Sequence, residues 1–294
     1  MRLVTFARAG SVLQEVGALA EDGAVLDIAA AEPLLRGQSM VMLAAAERGL
    51  IDKLRAALSR APKVADARLL APIPRTPKNI FCVGKNYHEH AREFAKSGFD
   101  GGAKDVVPPF PVVFTKPHPS IIATGEQIEG ALDPTGGLDF EGELAVVIGH
   151  GGRGIAKAKA LDHVFGYTIV NDVTARHLQK RHSQWILGKG LDTFCPMGPA
   201  ILTADQVPDP ARLTITTWVN GVQRQHAPLA GLIFDIPTLI AAISAAITLE
   251  PGDLIATGTP AGVGIGQTPP VFLRSGDVIR IEVPGIGVLE NAVG

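Results

Sequence analysis

Short apolar runs interrupted by glycine and proline are the feature that most limits what this chain can fold into. The 294 residues include 33 glycines and 22 prolines, scattered between the apolar runs rather than gathered in one tract. This punctuation is typical of a turn-rich β protein and not of a disordered one. A chain of this length can also bury a substantial core. We therefore predict an α+β protein that is mainly β, with helix as the minority element.

The charge balance argues against partners that require a strong electrostatic field. Lysine and arginine total 27 against 29 acidic residues, so nothing favours nucleic acid or an anionic membrane surface. The longest apolar stretch, from Leu239, is too short to span a bilayer, and the N-terminus lacks a signal-peptide pattern. Cys82 and Cys195 lie among apolar residues, which favours free buried thiols over a catalytic cysteine. We expect a cytoplasmic enzyme that acts on a small molecule.

Proline marks the expected division of the chain into two domains. Pro72, Pro74 and Pro77 fall within six residues, which prevents a helix and makes a stiff connector. We place the boundary there, with a small α+β domain over residues 1–72 and the main domain over residues 73–294.

Local patterns predict several individual elements. Apolar residues recur near helical spacing over residues 41–58, which predicts a helix. Alternation on both sides of Asn220 and Gly221 predicts a β-hairpin, and Pro237 falls in the first turn of a predicted helix. Residues 98–109 are rich in glycine and proline, lack periodicity and are expected to form a mobile loop.

Glu141 and Glu143 stand at the start of an apolar run that ends at Gly149. On a strand the two carboxylates share one face, whereas on a helix they would diverge. Like charges that lead into apolar packing repel each other and are costly to desolvate, so a cation is expected between them. Asp172, at the end of a later apolar strand, offers a third carboxylate of the kind that magnesium, manganese and calcium accept. The ordinary alternatives are an exposed edge strand for the glutamates and a helix cap formed by Asp172 or Thr174.

Seven stretches of the chain resemble the fumarylacetoacetate hydrolase family, in the family's order, from about Asn79 to the C-terminus. They are "CVGKNYHEHAREF", "PVVFTKPHPSII", "DFEGELAVVIG", "GYTIVNDVTARHLQ", "GKGLDTFCPMGP", "FDIPTLIAAIS" and "LEPGDLIATGTPAGVG". The resemblance implies a mixed β-sandwich roll that forms a homodimer. It also implies a divalent cation, magnesium or manganese with calcium as a further occupant in crystals, held by Glu141, Glu143 and Asp172. The N-terminal portion resembles, less closely, the small extra domain of many bacterial members.

The resemblance implies that four further residues face the metal or the substrate. Lys189 would place a fixed positive charge beside a developing oxyanion. Arg176 and Gln179, three apart on a helix, would approach the acid end of the substrate, where the arginine fork suits a carboxylate. Thr259, in the glycine-rich "TGTPAGVGIG", would also contact the substrate. The ordinary alternatives are a solvated lysine, polar residues on an exposed helix and a tight turn between strands.

An H-x-x-E pair, His90 and Glu93, matches a catalytic pair that family members carry on a lid. On a helix the two residues share one face, so the glutamate can hold and polarise the imidazole. His88 is a competing candidate, although it falls off the Glu93 face. The chain departs from many relatives at Gly190, where they have serine, and in the greater length of residues 98–109.

The residues and the resemblance together predict a divalent-metal-dependent hydrolase. It would cleave a carbon–carbon bond in a β-diketo acid, an acylpyruvate such as fumarylpyruvate. His90, held by Glu93, would activate water, and the cation and Lys189 would stabilise the pyruvate enolate that remains. Decarboxylation of oxaloacetate or another 2-oxo diacid, and hydratase or isomerase reactions of a 2-oxo acid, require a similar site. A noncatalytic binder of dicarboxylates is the alternative from another class.

Overall fold

The computed structural model describes residues 1–99 and 106–294, and within these ranges strands dominate. The strands are β1 (Arg2–Arg8), β2 (Glu15–Leu19), β3 (Val25–Leu26), β4 (Ala67–Leu69), β5 (Ile80–Gly84), β6 (Val112–Lys116), β7 (Ile121–Ile122), β8 (Leu138–Asp139), β9 (Gly142–Ile148), β10 (Val164–Asn171), β11 (Thr174–Ala175), β12 (Cys195–Thr203), β13 (Thr214–Val219), β14 (Val222–Pro228), β15 (Leu254–Ala256), β16 (Val278–Val283) and β17 (Gly287–Ala292). The α-helices are α1 (Ile28–Ala31), α2 (Met40–Ala44), α3 (Arg48–Ala57), α4 (His88–Lys96), α5 (Arg176–Arg181), α6 (Ile186–Lys189) and α7 (Ile236–Ser244).

Most strands of the described chain join one mixed sheet. Its order is β3-β2-β1-β12-β10-β9-β15-β5-β6, with β4 on β1 and β7 on β12. Parallel pairing occurs between β15 and β5 and between β12 and β7. A second, antiparallel sheet has the order β14-β13-β16-β17. The predicted fold class, α+β and mainly β with a mixed β-sandwich, is confirmed.

The two faces of β9 are buried in two different hydrophobic clusters, as the alternation of a fully buried strand requires. Leu144, Val146 and Ile148 pack in the cluster between the mixed sheet, the second sheet and α7. Ala145 and Val147 point the opposite way, into a cluster shared with α2 and α3. Because both faces are apolar over the rest of its length, β9 can carry acidic side chains only where it begins.

The N-terminal segment extends the mixed sheet rather than standing apart from it. Strand β1 pairs antiparallel with β12, with Leu3 opposite Ile201. The boundary proposed between residues 72 and 73 stays a prediction, and the proline-rich connector there contains neither helix nor strand.

Two of the local predictions hold and one changes. Asn220 and Gly221 both have positive φ angles, 51° and 75°, as a two-residue hairpin turn between β13 and β14 requires. Helix α7 has Asp235 as its N-cap and Pro237 in its first turn. The single helix predicted over residues 41–58 is instead two helices, α2 and α3. Glu47 is extended, with φ −64° and ψ 154°, and this interrupts the helical hydrogen bonds.

Other predictions concern the cysteines, the long loop and the membrane. Cys82 and Cys195 are free and buried, as expected. The loop expected over residues 98–109 includes residues 100–105, which lie outside the described residues. None of the helices in the described ranges has the length and apolar character needed to cross a bilayer.

Candidate active site

Strand pairing brings the three predicted metal ligands together. Strands β9 and β10 run antiparallel, with Gly142 opposite Asn171. Glu141 precedes β9 and Asp172 follows β10, so both side chains emerge at the same end of the strand pair. The Asp172 N–H donates to the Glu141 carbonyl at 2.8 Å, and the Glu141 N–H donates to Asn171 Oδ1 at 3.0 Å.

The three carboxylates form a compact buried group. One oxygen from each of Glu141, Glu143 and Asp172 lies within 4.8 Å of the others. All three residues are at most 5% exposed, which rules out the exposed-edge alternative for the glutamates. Helix α5 has Ala175 at its N-cap without a side-chain cap, so neither Asp172 nor Thr174 serves as the cap.

Two cationic side chains neutralise part of this group. Lys189 Nζ lies 2.8 Å from Glu141 Oε2 and 2.7 Å from Asp172 Oδ2. Arg176 Nη1 lies 2.7 Å from Glu141 Oε1 and 3.3 Å from Gln179 Oε1. Lys189, Arg176 and Gln179 are at most 2% exposed, so the solvated-lysine and exposed-helix alternatives are wrong.

The two glutamates differ in their ionisation. Burial opposes the charge on Glu141, but Lys189 and Arg176 outweigh it and lower the pKa of this carboxyl. Burial, followed by the charges of Asp172 and Glu141, raises the pKa of Glu143 well above its usual value. Glu143 Oε2 accepts a backbone N–H from Gly258 at 2.7 Å. A hard divalent cation among the three carboxylates would offset the repulsion at Glu143, so this donor set fits such an ion.

Lys116 is a buried member of the site that the sequence reasoning missed. Its Nζ lies 2.7 Å from Asp172 Oδ1 and donates to the carbonyls of Val173, at 3.0 Å, and Lys189. The residue is 1% exposed. Lys116 stands in "TKP" at the end of a predicted strand, which could have marked it as a candidate. Nothing in the sequence, however, indicates that β6 lies beside Asp172.

His90 and Glu93 form the predicted pair on α4. His90 Nδ1 lies 3.1 Å from Glu93 Oε2, and Glu93 Oε1 accepts the Gly262 N–H at 3.0 Å. His90 is buried, whereas His88 on the same helix is exposed. The second glutamate oxygen therefore joins α4 to the glycine-rich loop, which the sequence did not predict.

A narrow pocket brings the remaining predicted residues together. His90, Glu141, Arg176, Lys189 and Thr259 all line it, and Gln179 does as well. Its free volume of about 10 Å³ is close to what one water molecule needs.

Aromatic side chains line the pocket on the side of α4. Trp185 packs edge-on against Phe114 and Phe94, with ring centroids 5.2 and 6.1 Å away. The approach is so close at Gly84 that a Cβ there would lie 2.5 Å from the Trp185 ring. Helix α4 is therefore seated over the site.

Thr259 is held in place by Gln225, a second residue that sequence reasoning missed. Gln225 Nε2 donates to Thr259 Oγ1 and to the Pro260 carbonyl, both at 2.7 Å. Its Oε1 accepts the Gly142 N–H at 3.1 Å, and Thr259 Oγ1 donates to the Gly142 carbonyl at 3.0 Å. The tight-turn alternative accounts for the backbone of this segment but not for these side-chain contacts.

Gly190, where the chain departs from many relatives, lies against the neighbouring backbone. A Cβ at this position would be 2.7 Å from Pro117 Cδ and 2.9 Å from the Ile186 carbonyl oxygen. A serine here would require one of these neighbours to move.

Comparison with known proteins identifies the family. The family model described as fumarylacetoacetate (FAA) hydrolase C-terminal matches residues 79–294. The chain belongs to the fumarylacetoacetate hydrolase family. The matched range contains every residue of the candidate site and begins just after the proline-rich connector.

Family members with names or known structures resemble the chain over most of its length. Oxaloacetate tautomerase YisK from Bacillus subtilis is 51% identical over 231 residues, covering 79% of this chain and 74% of its own. Fumarylacetoacetate hydrolase from Exiguobacterium antarcticum is 42% identical, with a TM-score of 0.82 and coverage of 100% and 99% of the two chains. Maleylpyruvate hydrolase from Sphingobium sp. SYK-6, in complex with manganese(II) and pyruvate, is 34% identical, with a TM-score of 0.78 and coverage of 100% and 98%. The chain is thus an enzyme of the fumarylacetoacetate hydrolase family.

Proposed function

We propose that this enzyme interconverts the keto and enol forms of a small 2-oxo diacid such as oxaloacetate. The observation that carries the proposal is the His90–Glu93 pair on the wall of a pocket that Arg176 and Lys189 also line. Oxaloacetate tautomerase YisK, which is 51% identical to this chain over 231 aligned residues, supports this choice among the family's reactions.

His90 has the contacts needed to move a proton between carbon and oxygen. With Nδ1 bonded to Glu93, the ring can accept a proton at Nε2 from the carbon beside the 2-oxo group. Glu93 then stabilises the imidazolium, and Nε2 returns the proton to the enolate oxygen. A C–H bond is exchanged for an O–H bond, so no co-reactant is required.

The cationic residues bind and orient the acid. Arg176 presents a fixed guanidinium to the substrate carboxylate, and Lys189 places positive charge near the oxygen on which negative charge develops. A magnesium or manganese ion held by Glu141, Glu143 and Asp172 would supply Lewis-acid stabilisation of that charge. Phe94, Phe114 and Trp185 line the pocket with apolar surface, which lowers the local dielectric and strengthens these interactions.

Hydrolysis of an acylpyruvate is the second candidate. It is supported by the maleylpyruvate hydrolase that has manganese and pyruvate bound and resembles this chain over its whole length. In this reaction His90 would deprotonate a water molecule instead of a carbon. Decarboxylation of oxaloacetate would use the same acid-binding residues without an attacking water.

The test measures three reactions with one enzyme preparation. We would add magnesium or manganese and measure decay of the enol absorbance of oxaloacetate, release of carbon dioxide and cleavage of fumarylpyruvate. His90→Ala should slow tautomerisation by about 100-fold or more, because general acid–base catalysis contributes about 10²–10⁴-fold. The matched variant His88→Ala, changed at an exposed histidine of the same helix, should keep the parental rate. Enol decay no faster than with the metal alone would refute the proposal, and cleavage of fumarylpyruvate in its place would establish the second candidate.

A further inference from the structure

Asp139 is a buried carboxylate that the proposed reaction does not use. It ends β8, two residues before Glu141, and is 0% exposed. Its Oδ1 accepts the N–H groups of Phe140 at 2.9 Å and Gly264 at 2.7 Å. Its Oδ2 accepts the Ile265 N–H at 3.1 Å and Arg176 Nε at 2.9 Å. Both oxygens are therefore fully engaged, by donors from three separate parts of the chain.

The contact with Arg176 fixes how the guanidinium faces the pocket. Nε and Nη2 both lie 2.9 Å from Asp139 Oδ2, so the carboxylate holds the side edge of the group. This leaves Nη1 directed at Glu141 and Gln179. Because the guanidinium is planar and rigid, fixing one edge fixes the direction of its other donors.

The contact with the glycine-rich loop reaches the catalytic pair. Two residues before Gly264, the Gly262 N–H holds Glu93 Oε1. Ile265 packs with Phe94 of α4 in one small hydrophobic cluster. A Cβ on Gly264 would lie 2.7 Å from Asp139 Oδ1 and 2.1 Å from the Val271 carbonyl oxygen, so only glycine allows this approach.

We propose that Asp139 is a positioning residue that couples the acid-binding Arg176 to the lid bearing His90 and Glu93. One carboxylate holds both the guanidinium and the loop on which the lid is seated. Displacement of either the guanidinium or the loop would therefore shift Asp139 and, through it, the other. The inference rests on the proposed function only in that Arg176 is taken to bind the acid.

The decisive variant is Asp139→Asn, which keeps the shape and removes the charge. An amide offers one acceptor oxygen, so whichever way it turns, its NH₂ group faces either Arg176 or the loop N–H groups. Asp253→Asn is the matched control, since Asp253 is 1% exposed and accepts Lys78 Nζ at 2.9 Å and the Glu250 N–H at 2.8 Å. Asp253 lies near the opposite end of β9, where its carbonyl accepts the Ile148 N–H.

The measurement reports how α4 packs over the site, and not the rate of turnover. Trp185 and Trp218 are the two tryptophans, so a Trp218→Phe background leaves Trp185, which packs against Phe94 of the lid, as the fluorescent reporter. Oxalate would be titrated into the manganese-loaded protein while Trp185 emission is recorded. Asp139→Asn should weaken oxalate binding by about tenfold or more and diminish the emission change, as about 1.4 kcal/mol corresponds to tenfold. Asp253→Asn should stay within twofold of the parent.

Three outcomes would overturn the proposal. They are an oxalate affinity and emission change in Asp139→Asn within twofold of the parent, an equal loss in both variants, and no oxalate binding by the parent. If the parent binds oxalate but accelerates no 2-oxo acid reaction, the proposed function fails while the titration still decides the role of Asp139.

Discussion

At the scale of single residues, the three carboxylates of the site differ in how many cationic side chains they contact. Asp172 contacts both Lys116 and Lys189, and Glu141 contacts both Lys189 and Arg176. The hydrogen bond to Glu143 comes instead from the backbone of Gly258. Removal of the Glu143 charge should therefore affect a bound cation more than it affects any ion pair within the protein.

We predict that Glu143→Gln lowers the affinity for Mn²⁺ by at least about tenfold, since loss even of an outer partner of a metal ligand typically costs 10–100-fold. Calorimetric titration of the metal-free protein measures this directly. Glu290→Gln, at an exposed residue of β17, should bind Mn²⁺ like the parent. An unchanged Mn²⁺ affinity in Glu143→Gln would show that this carboxylate is not a ligand.

We also predict that Lys116→Met destabilises the protein by about 3 kcal/mol, because it removes one of the two lysines that pair with Asp172 and leaves a buried carboxylate oxygen without its cationic partner. Asp172, the partner, is 0% exposed. Urea unfolding of the metal-free protein provides the measurement. Lys63→Met, at an exposed lysine that pairs with Asp22, should change the unfolding free energy by less than about 1 kcal/mol. Equal effects of the two substitutions would contradict the structural role of Lys116.

At the scale of secondary-structure elements, the glycine-rich loop after β15 binds three acidic side chains through its backbone. Its successive N–H groups hold Glu143 from Gly258, Glu93 from Gly262 and Asp139 from Gly264. A Cβ would lie 2.7 Å from Asp139 Oδ1 at Gly264 and 1.9 Å from the Arg224 carbonyl oxygen at Gly262, so glycine is needed at both positions. The loop therefore connects Glu143, a predicted metal ligand, to α4, although nothing in its composition indicates which residues it meets.

Gly266→Ala should impair the reaction without unfolding the protein. An added Cβ would lie 1.6 Å from Glu93 Oε1, so the glutamate must move away from its position beside His90. We expect kcat to fall by at least about tenfold, since the orientation of a general base is worth orders of magnitude in rate. Gly49→Ala, where a Cβ meets open space, is the control and should leave kcat unchanged. A parental kcat in Gly266→Ala would show that Glu93 tolerates displacement.

At the scale of the whole molecule, the surface around the edge strand β6 has the features of a subunit interface. Strand β6 ends the strand order among the described residues, and α6 packs against it. Four apolar residues on this part of the surface are at least 40% exposed: Phe110, Val113, Ile186 and Leu187. Unpaired edges and exposed apolar patches commonly mark an interface between subunits.

We propose that this surface forms the interface of the expected homodimer. Phe110, 77% exposed, is its most accessible member. Phe110→Asp should shift the protein from dimer toward monomer in light scattering coupled to size exclusion. Val222→Asp, at a 53% exposed apolar residue of β14, is the control and should leave the mass unchanged. A monomeric parent, or a Phe110→Asp variant that remains dimeric, would disprove this interface.

The sequence alone determined the local secondary structure in several places. Alternation placed the carboxylates of Glu141 and Glu143 on one face of a strand, and the turn residues Asn220 and Gly221 located the hairpin. Both depend on neighbours within a few residues, for which backbone sterics set the periodicity and the turn type. The carboxylates of Glu141 and Glu143 could be predicted to face a cation for the same reason, whereas the break between α2 and α3 could not, because packing onto the core overrides helix propensity.

Only the tertiary structure decided which distant residues complete the site. Lys116 meets Asp172, Gln225 meets Thr259 and Asp139 meets Arg176, and each contact joins residues more than 30 positions apart. No periodicity connects such pairs, since their contact depends on the register of β9 against β10 and on how the glycine-rich loop crosses above them. Buried charges must be paired wherever the fold places them, so the pairing partners follow from the fold as a whole.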